Sequence, residues 1–377
     1  MTYRILSMDG GNAGRAGVFL SGIERRAEAL EKTFLANVNL FAGTSSGAVN
    51  AMLLAWFEDP VVALEAILRF EDEVRNQGPS NPLAVAGTLF GTNAAMPADK
   101  IKAFCDETFG EAAILSDLPR PVLIPAFQLD ALDAHVAVDA TGDEAVVPHR
   151  RWSTRLFTNM PGDPAASDLI ADVAIRTMAM PIQYPIHQSI TGIGPGYVDG
   201  GVFANNPAMA ALTHSLASQK LDDISVLSLG VPRNLTGDRT HLSPDLHNGS
   251  ADWGYRQWLL DPMNPLLLMD LFIQAGADAV NTQCGQLLGT RYLRVEPEVF
   301  EGAFWDRTDV TTELDANFNW LMSQSWIADA VKPAAKPAPK AAAKAAPKTT
   351  AKAAAKPTAK SASATTTKNT AGTTSST

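Results

Sequence analysis

Asn37-Val38-Asn39-Leu40-Phe41-Ala42-Gly43-Thr44-Ser45-Ser46-Gly47-Ala48-Val49-Asn50 is the stretch on which the fold turns. A short apolar run stops at Gly43, and a helical run from Ala48 to Trp56 begins just past Gly47. Between them lies G-x-S-x-G with Ser45 at its centre. A strand that turns at once into a helix forces its corner residue into a strained conformation. The flanking glycines are needed because a Cβ there would meet neighbouring backbone. The corner hydroxyl then stands beside a helix N-terminus, whose partial positive charge suits an oxyanion. Ser45 is therefore the candidate nucleophile, although a Gly-rich strand–helix turn carrying an idle serine fits the same five residues.

The chain has 377 residues, enough for one large or two ordinary domains, and 46% of them are apolar. Its net charge of −10 is unevenly spread. Residues 332–377 hold nine lysines and no acidic residue or arginine, which leaves residues 1–331 with 21 basic and 40 acidic side chains. Two cysteines, Cys105 and Cys284, are too few for a disulfide framework and too far apart for a zinc ligand pair. A reduced, cytoplasmic setting fits, and no metal or cofactor is called for. The opening residues lack the apolar core of a signal peptide. The run from Pro265 to Ala277 is broken by Asp270 and too short for a bilayer, so any membrane contact is expected to be peripheral.

In chain order, Tyr3 to Met8 reads as a first strand that runs into the loop Asp9-Gly10-Gly11-Asn12-Ala13-Gly14-Arg15-Ala16-Gly17 and then a helix. The glycine spacing matches neither nucleotide-binding loop. The loop suits an oxyanion hole of backbone amides, or else a plain β–α connection. Val61 to Arg75 is helical in period. Pro79 to Thr92 is apolar but broken by Pro and Gly, which fits a lid or a buried connection. Pro121–Phe127 and His135–Val138 read as strands, and Leu169–Met178 as a helix. A second informative stretch, Gly196-Tyr197-Val198-Asp199-Gly200-Gly201-Val202-Phe203-Ala204-Asn205-Asn206-Pro207, delivers Asp199 into a double-glycine turn before a helix from Ala208 to Leu216. Asp-Gly is also a common turn former. Ile224–Gly230 is a core strand, Trp253–Trp258 and Leu266–Ala277 are helical, Tyr292–Val295 is a short strand, and Leu314–Ala328 a closing helix. Strands alternating with helices predict an α/β fold, a mostly parallel central sheet flanked by helices on both faces, in one domain over residues 1–331.

The segment 332–377 has a lysine at every fourth position from Lys332 to Lys360 among Ala, Pro and Thr, and no apolar side chain larger than alanine. It is expected to be a disordered basic tail, reaching roughly 35–40 Å. Near an anionic bilayer each lysine contributes about 1 kcal/mol. Nucleic acid or the chain's own acidic domain would attract it too.

Together, Asp9-Gly10-Gly11 with Arg15, Gly43-Thr44-Ser45-Ser46-Gly47 and Asp199-Gly200-Gly201 resemble, in this order, the landmarks of the patatin-like phospholipase family. Lesser matches are Val202 to Pro207, Leu227-Ser228-Leu229-Gly230 and Met178 to Pro185, so that the likeness covers about residues 3–300. The resemblance implies a three-layer α/β/α fold and a serine–aspartate dyad, with Ser45 as nucleophile and Asp199 as base. It implies an oxyanion hole from Gly10, Gly11, Asn12 and Ser46. Asp9, Gly14, Arg15, Gly43, Gly47, Gly200 and Gly201 would support loop and elbow. The expected activity is hydrolysis of carboxylic esters in membrane lipids, phospholipase A in type, without a cofactor. The expected partners are a phospholipid or other acyl ester and, through the tail, an anionic membrane.

None of the six histidines sits in a recognisable triad motif, though His241 and His247 lie late enough in the chain for the order Ser…Asp…His. The Gly loop departs from the family pattern by about two extra residues, with Asn12 at its third glycine. A catalytically impaired lipid- or polyanion-binding protein, or an acyltransferase using the same dyad, fits these residues as well.

Overall fold

The computed structural model describes residues 2–11, 13–75, 94–138, 141, 144–231, 252–259, 266–297 and 308–329. Asn12, the apolar stretch Pro79–Thr92, His241, His247 and the basic tail, all singled out in the sequence, lie outside the described residues.

In chain order the elements are β1 (Tyr3–Met8), α1 (Ala13–Glu28), β2 (Lys32–Thr33), β3 (Leu40–Gly43), α2 (Ser46–Trp56), α3 (Pro60–Arg75) and α4 (Asp99–Phe109). Then come β4 (Val122–Val138), β5 (Glu144–Thr158), α5 (Ile170–Met178), β6 (Tyr197–Asp199), α6 (Gly201–Ala204) and α7 (Ala208–Ser215). The last are β7 (Ile224–Leu229), α8 (Tyr255–Leu259), α9 (Leu267–Leu288), β8 (Tyr292–Val295), α10 (Thr308–Ser323) and β9 (Ala328–Asp329).

Among the described residues seven strands form the main sheet in the order β5-β4-β3-β1-β7-β8, with β6 on the free part of β4's edge. β4, β3, β1, β7 and β8 run parallel, whereas β5 and β6 are antiparallel to β4. Side chains alternate between the sheet's faces. Ile5, Leu40, Ala42, Leu123 and Val226 point to one face, under Ala208, Ala211 and Leu212 of α7 and Cys284 and Leu288 of α9. Leu6, Met8, Phe41, Val122, Ile124, Leu227 and Leu229 point to the other, under α1, α2, α3 and α5. Both faces are covered, so these strands are apolar throughout. α2 is buried from Ser46 to Ala55, which suits a helix without a polar stripe.

The expected α/β/α sandwich is present. The segments read as two strands before and after Asp130 are one strand, β4, shifted by a bulge between Gln128 and Ala131. Its partner β5 was not expected. Pro148, Arg150 and Arg151 hide its strand character, and an edge strand tolerates proline and charge. The closing helix starts six residues earlier than expected, at Thr308, and stops at Ser323, because Ala328 pairs with Thr33 in a small two-stranded sheet.

Candidate active site

β4 sets the geometry of the site. Along one edge it pairs first with β3, Ala42 opposite Leu123, and three residues on with β6, Asp199 opposite Ala126. β3 and β6 run in opposite directions, so their C-terminal ends converge in one lane of the sheet. Ser45, two residues beyond β3, fills the gap between them.

Ser45 has φ 54° and ψ −125°, a left-handed conformation that is rare for a side-chain-bearing residue. Such backbone costs on the order of 1–3 kcal/mol and persists only where the surroundings hold it. The holding is visible. A Cβ on Gly43 would lie 2.1 Å from the Gly47 carbonyl oxygen, and one on Gly47 would lie 2.4 Å from the Met8 oxygen. Both glycines of G-x-S-x-G are therefore fixed by close approach. The Ser45 amide donates to Thr177 Oγ1 at 2.9 Å, and that hydroxyl donates to the Pro125 carbonyl at 2.7 Å. Thr177, fully buried at the end of α5, thus ties the elbow to β4.

Asp199 is fully buried. Its Oδ1 accepts the Gly201 amide at 2.7 Å, and a Cβ on Gly200 would strike the Pro125 carbonyl at 2.3 Å, so only glycine lets the chain turn here. Burial pushes the Asp199 pKa up to about 7, with the Gly201 amide and the Ser45 hydroxyl pulling against it. Ser45 is thus close enough to act on the carboxyl as a hydrogen-bonding group. Even so, Oδ2 makes no hydrogen bond of regular geometry.

The Gly loop lies against the elbow: a Cβ on Gly10 would come within 3.1 Å of Ser45 Cβ. Its amides are occupied. Gly10 N–H donates to the Asn205 carbonyl at 3.3 Å, and Gly11 N–H, at φ 79°, donates to Ser46 Oγ at 3.0 Å. The Gly14 amide donates to Glu71 of α3 at 3.2 Å. Arg15, half-buried on α1, comes from the same loop. The Ser46 amide is the first of α2 and has no acceptor within the helix.

Asp9 is bound elsewhere. Arg294 of β8 grips it with two hydrogen bonds, Nη1 to Oδ1 at 2.8 Å and Nη2 to Oδ2 at 2.6 Å, and also donates to Ser228 Oγ at 2.8 Å. Burial pushes the Asp9 pKa up to about 6 while Arg294 draws it back, so the carboxylate is ionised at neutral pH. Burial lowers the Arg294 pKa and Asp9 more than reverses that. The guanidinium passes over Gly230, where a Cβ would lie 2.0 Å from Nη2. The Asn205–Asn206 pair closes the arrangement: Asn206 Oδ1 accepts from Ser228 Oγ and from the Ala208 amide. Thr44 Oγ1 donates to the Ala204 carbonyl at 2.6 Å.

Of the histidines with described side chains, His187 bonds Asp172 at 2.7 Å and His214 meets Met160 Sδ at 3.1 Å. Neither engages Ser45 or Asp199. Among the described residues no cluster of His, Cys, Asp and Glu is suited to a metal ion. Thr177 and Arg294 escaped the sequence reading. Thr177 belongs to no motif. Arg294 left one trace, a lone cation inside an apolar strand, which demands a buried counter-charge.

A family model for patatin-like phospholipases matches residues 6–212, just over half the chain. The chain belongs to the patatin-like phospholipase family. Among relatives, CotR of Bacillus subtilis, named as a candidate sporulation hydrolase, is 28% identical over 325 residues, 79% of this chain and 88% of that one. A cGAMP-activated phospholipase of Pseudomonas aeruginosa is 25% identical over 300 residues, 78% of each. Patatin-like protein 1 of Arabidopsis thaliana is 26% identical over 330 residues, covering 79% of this chain and 75% of that one. The crystal structure of VipD from Legionella pneumophila overlays at 10% identity and a TM-score of 0.36, covering 86% of this chain and 67% of that one, a likeness too loose to argue from. No described helix is long and apolar enough to cross a membrane.

Proposed function

We propose that the protein is a lipid acyl hydrolase of phospholipase A type, in which Ser45 is the nucleophile and Asp199 its general base. The observation that carries this reading is a buried carboxylate with one unsatisfied oxygen beside a serine held at positive φ. An ordinary carboxylate, titrating near 4, is too weak a base for a hydroxyl. Desolvation to about 7 brings Asp199 into the range in which general-base catalysis works at neutral pH.

In this scheme Asp199 takes the hydroxyl proton as Ser45 Oγ attacks the ester carbonyl. The oxyanion is received by the Ser46 amide at the positive end of α2. It is also received by the Gly11 amide, once the Ser46 hydroxyl turns away from it. Asp199 returns the proton to the departing alcohol oxygen and then deprotonates the water that releases the acyl group. Asp9, Arg294, Gly14, Arg15, Thr177 and the Gly43, Gly47, Gly200 and Gly201 backbone hold this geometry without touching substrate. Asn12, with the rest of the loop, is the remaining candidate amide. The lysine-rich segment 332–377 would add attraction to an anionic bilayer.

The test is release of fatty acid from phosphatidylcholine and of p-nitrophenol from a short-chain ester. Ser45→Ala and Asp199→Asn should each lose nearly all of both activities, and either variant retaining turnover refutes the dyad. One observation favours a second reading, an impaired lipid-binding protein: the Gly10 and Gly11 amides are already engaged. A fluorophosphonate probe decides between the two. Labelling of the wild type but not of Ser45→Ala excludes impairment, and no labelling of the wild type establishes it. Release of product to added lysolipid or alcohol rather than to water would identify an acyltransferase.

A further inference from the structure

The chain between α5 and β6 approaches Asp199 along a route with an unusual composition. From Met178 to Val198 there are 21 residues without one Asp, Glu, Lys or Arg, in a chain of which 19% is charged. The segment nevertheless lies largely at the surface. Ile182 is 57% exposed, Ile186 59%, Ile190 37% and Ile193 79%. Single exposed apolar residues need no explanation, but four isoleucines on one uncharged loop do.

The loop is held in shape. Asp172, buried on α5, accepts from His187 Nε2 and from the Ile190 amide, each at 2.7 Å. His187 and Tyr197 exchange two backbone hydrogen bonds, and Ser189 Oγ donates to the Ile193 carbonyl at 2.8 Å. Gly192 and Gly194, at φ 71° and 112°, make the tip that carries Ile193. The isoleucines are therefore presented on a fixed turn, and the ordering cost of presenting them is already met in the free protein.

The neighbouring lane of the sheet supplies the complementary charge. Leu129 of β4 donates its amide to Gly196 at 2.8 Å on one side, and the β4 bulge faces Trp152 on the other. Two lanes are about 10 Å across. Trp152 is 70% exposed and stacks edge-on against Phe127, which in turn meets Phe203 just after Asp199. Residues 145–162 contain Arg150, Arg151 and Arg155 and no acidic side chain. Arg150 pairs with Asp130 of the bulge at 2.7 Å, and the edge still carries more positive than negative charge, in a region of 331 residues that is otherwise strongly acidic. An uncharged apolar tip beside tryptophan and arginines is the composition that settles at a membrane–water boundary.

We infer that the Met178–Val198 loop and the Trp152 edge of β5 form the surface that seats the protein on an anionic phospholipid bilayer. Ile190 and Ile193 enter the acyl region, and the arginines face the head groups. This deepens the proposed function and rests on it only in the choice of lipid as occupant. An anionic bilayer is favoured over a protein partner because this edge has an excess of arginine while the remainder of residues 1–331 is strongly acidic and repels anionic lipid. The loop runs directly into β6, which ends at Asp199, so a lipid ester drawn from the bilayer would enter close to the nucleophile.

The experiment uses the full chain with vesicles of phosphatidylcholine and phosphatidylglycerol. Ile190→Asp/Ile193→Asp should weaken co-sedimentation with these vesicles by at least about tenfold and reduce hydrolysis of vesicle phospholipid in proportion. Turnover of a soluble short-chain ester should stay within about twofold, which also reports that the variant is folded. Unchanged vesicle binding overturns the proposal, as does binding abolished by deleting residues 332–377 but indifferent to the two isoleucines. A second measurement avoids acidic substitution. In Ile193→Cys, labelled with an environment-sensitive dye, the native Cys105 and Cys284 are buried and should stay unlabelled. The dye should shift to the blue on adding vesicles. No shift, or a shift produced by raising protein concentration alone, refutes the bilayer seat. If the wild type cleaves no ester at all, the hydrolase reading fails, while dye shift and co-sedimentation still decide the seat.

Discussion

Asp9-Gly10-Gly11 and Asp199-Gly200-Gly201 present the same three residues at the ends of two strands, β1 and β6, on either side of Ser45. Both aspartates are buried, and burial raises both pKa values, to about 6 and about 7. What separates them is the company of each carboxylate. Asp9 has both oxygens gripped by Arg294, whereas Asp199 has one oxygen on the Gly201 amide and the other without a regular partner. A buried charge that is fully paired is spent on structure. One left half-paired keeps an oxygen open to accept a proton, at a standing cost to stability.

The difference can be broken most forcefully by substituting each aspartate with asparagine. Asp199→Asn should lower kcat/KM by about 10²–10⁴, the worth of a positioned base. Asp9→Asn should act on stability instead, costing about 3–5 kcal/mol because it strands the Arg294 charge. Urea unfolding measures it, and a loss under 1 kcal/mol would mean the pair is no anchor.

The two variants should also differ in sign. The folded Asp199 pKa lies above its ordinary value of 3.8, so the folded state holds the extra proton between about pH 4 and pH 7. Stability from this group is complete below pH 4 and lost as pH rises through 7. Asp199→Asn should therefore be more stable than the wild type at pH 8, on the order of 1–3 kcal/mol, with the gap closing toward pH 4. Thermal melts at the two pH values test this. The same titration predicts that kcat/KM climbs about tenfold per pH unit below 7 and levels off above it. A flat profile from pH 5 to 8 would dissociate Asp199 from the base role.

The smallest expected effect sharpens the Asp199 side. Thr177→Val deletes the hydroxyl shared by the Ser45 amide and the Pro125 carbonyl, and each loses that partner. Stability should fall by about 1–3 kcal/mol and turnover by about tenfold. Thr177→Ser should restore both, and failure of that rescue would point to lost methyl packing rather than the hydrogen bonds.

The sandwich was readable in the sequence because its strands are buried on both faces and so stand out as unbroken apolar runs. Ser45, Gly43 and Gly47 were readable because a strained elbow admits few residue types. β5 was not, since an edge strand accepts Pro148 and a row of arginines that a central strand would reject. Neither was Arg294, 285 positions from Asp9, because nothing local records a contact made only when the sheet closes. The Gly loop was legible as backbone pressed against the elbow, whereas its engaged amides depend on Ser46 Oγ and the Asn205 carbonyl arriving from elsewhere.

The convergence of β3 and β6 on one edge of β4 makes that strand a measuring rod. The spacing of hydroxyl and carboxyl is counted out by the backbone between Leu123 and Ala126 and owes little to the surrounding helices. One residue inserted there would part the two groups by about 3.3 Å and turn the following side chains to the opposite face. Homologues can therefore vary their helices and loops freely, but the length of this short interval should stay invariant wherever the enzyme is active.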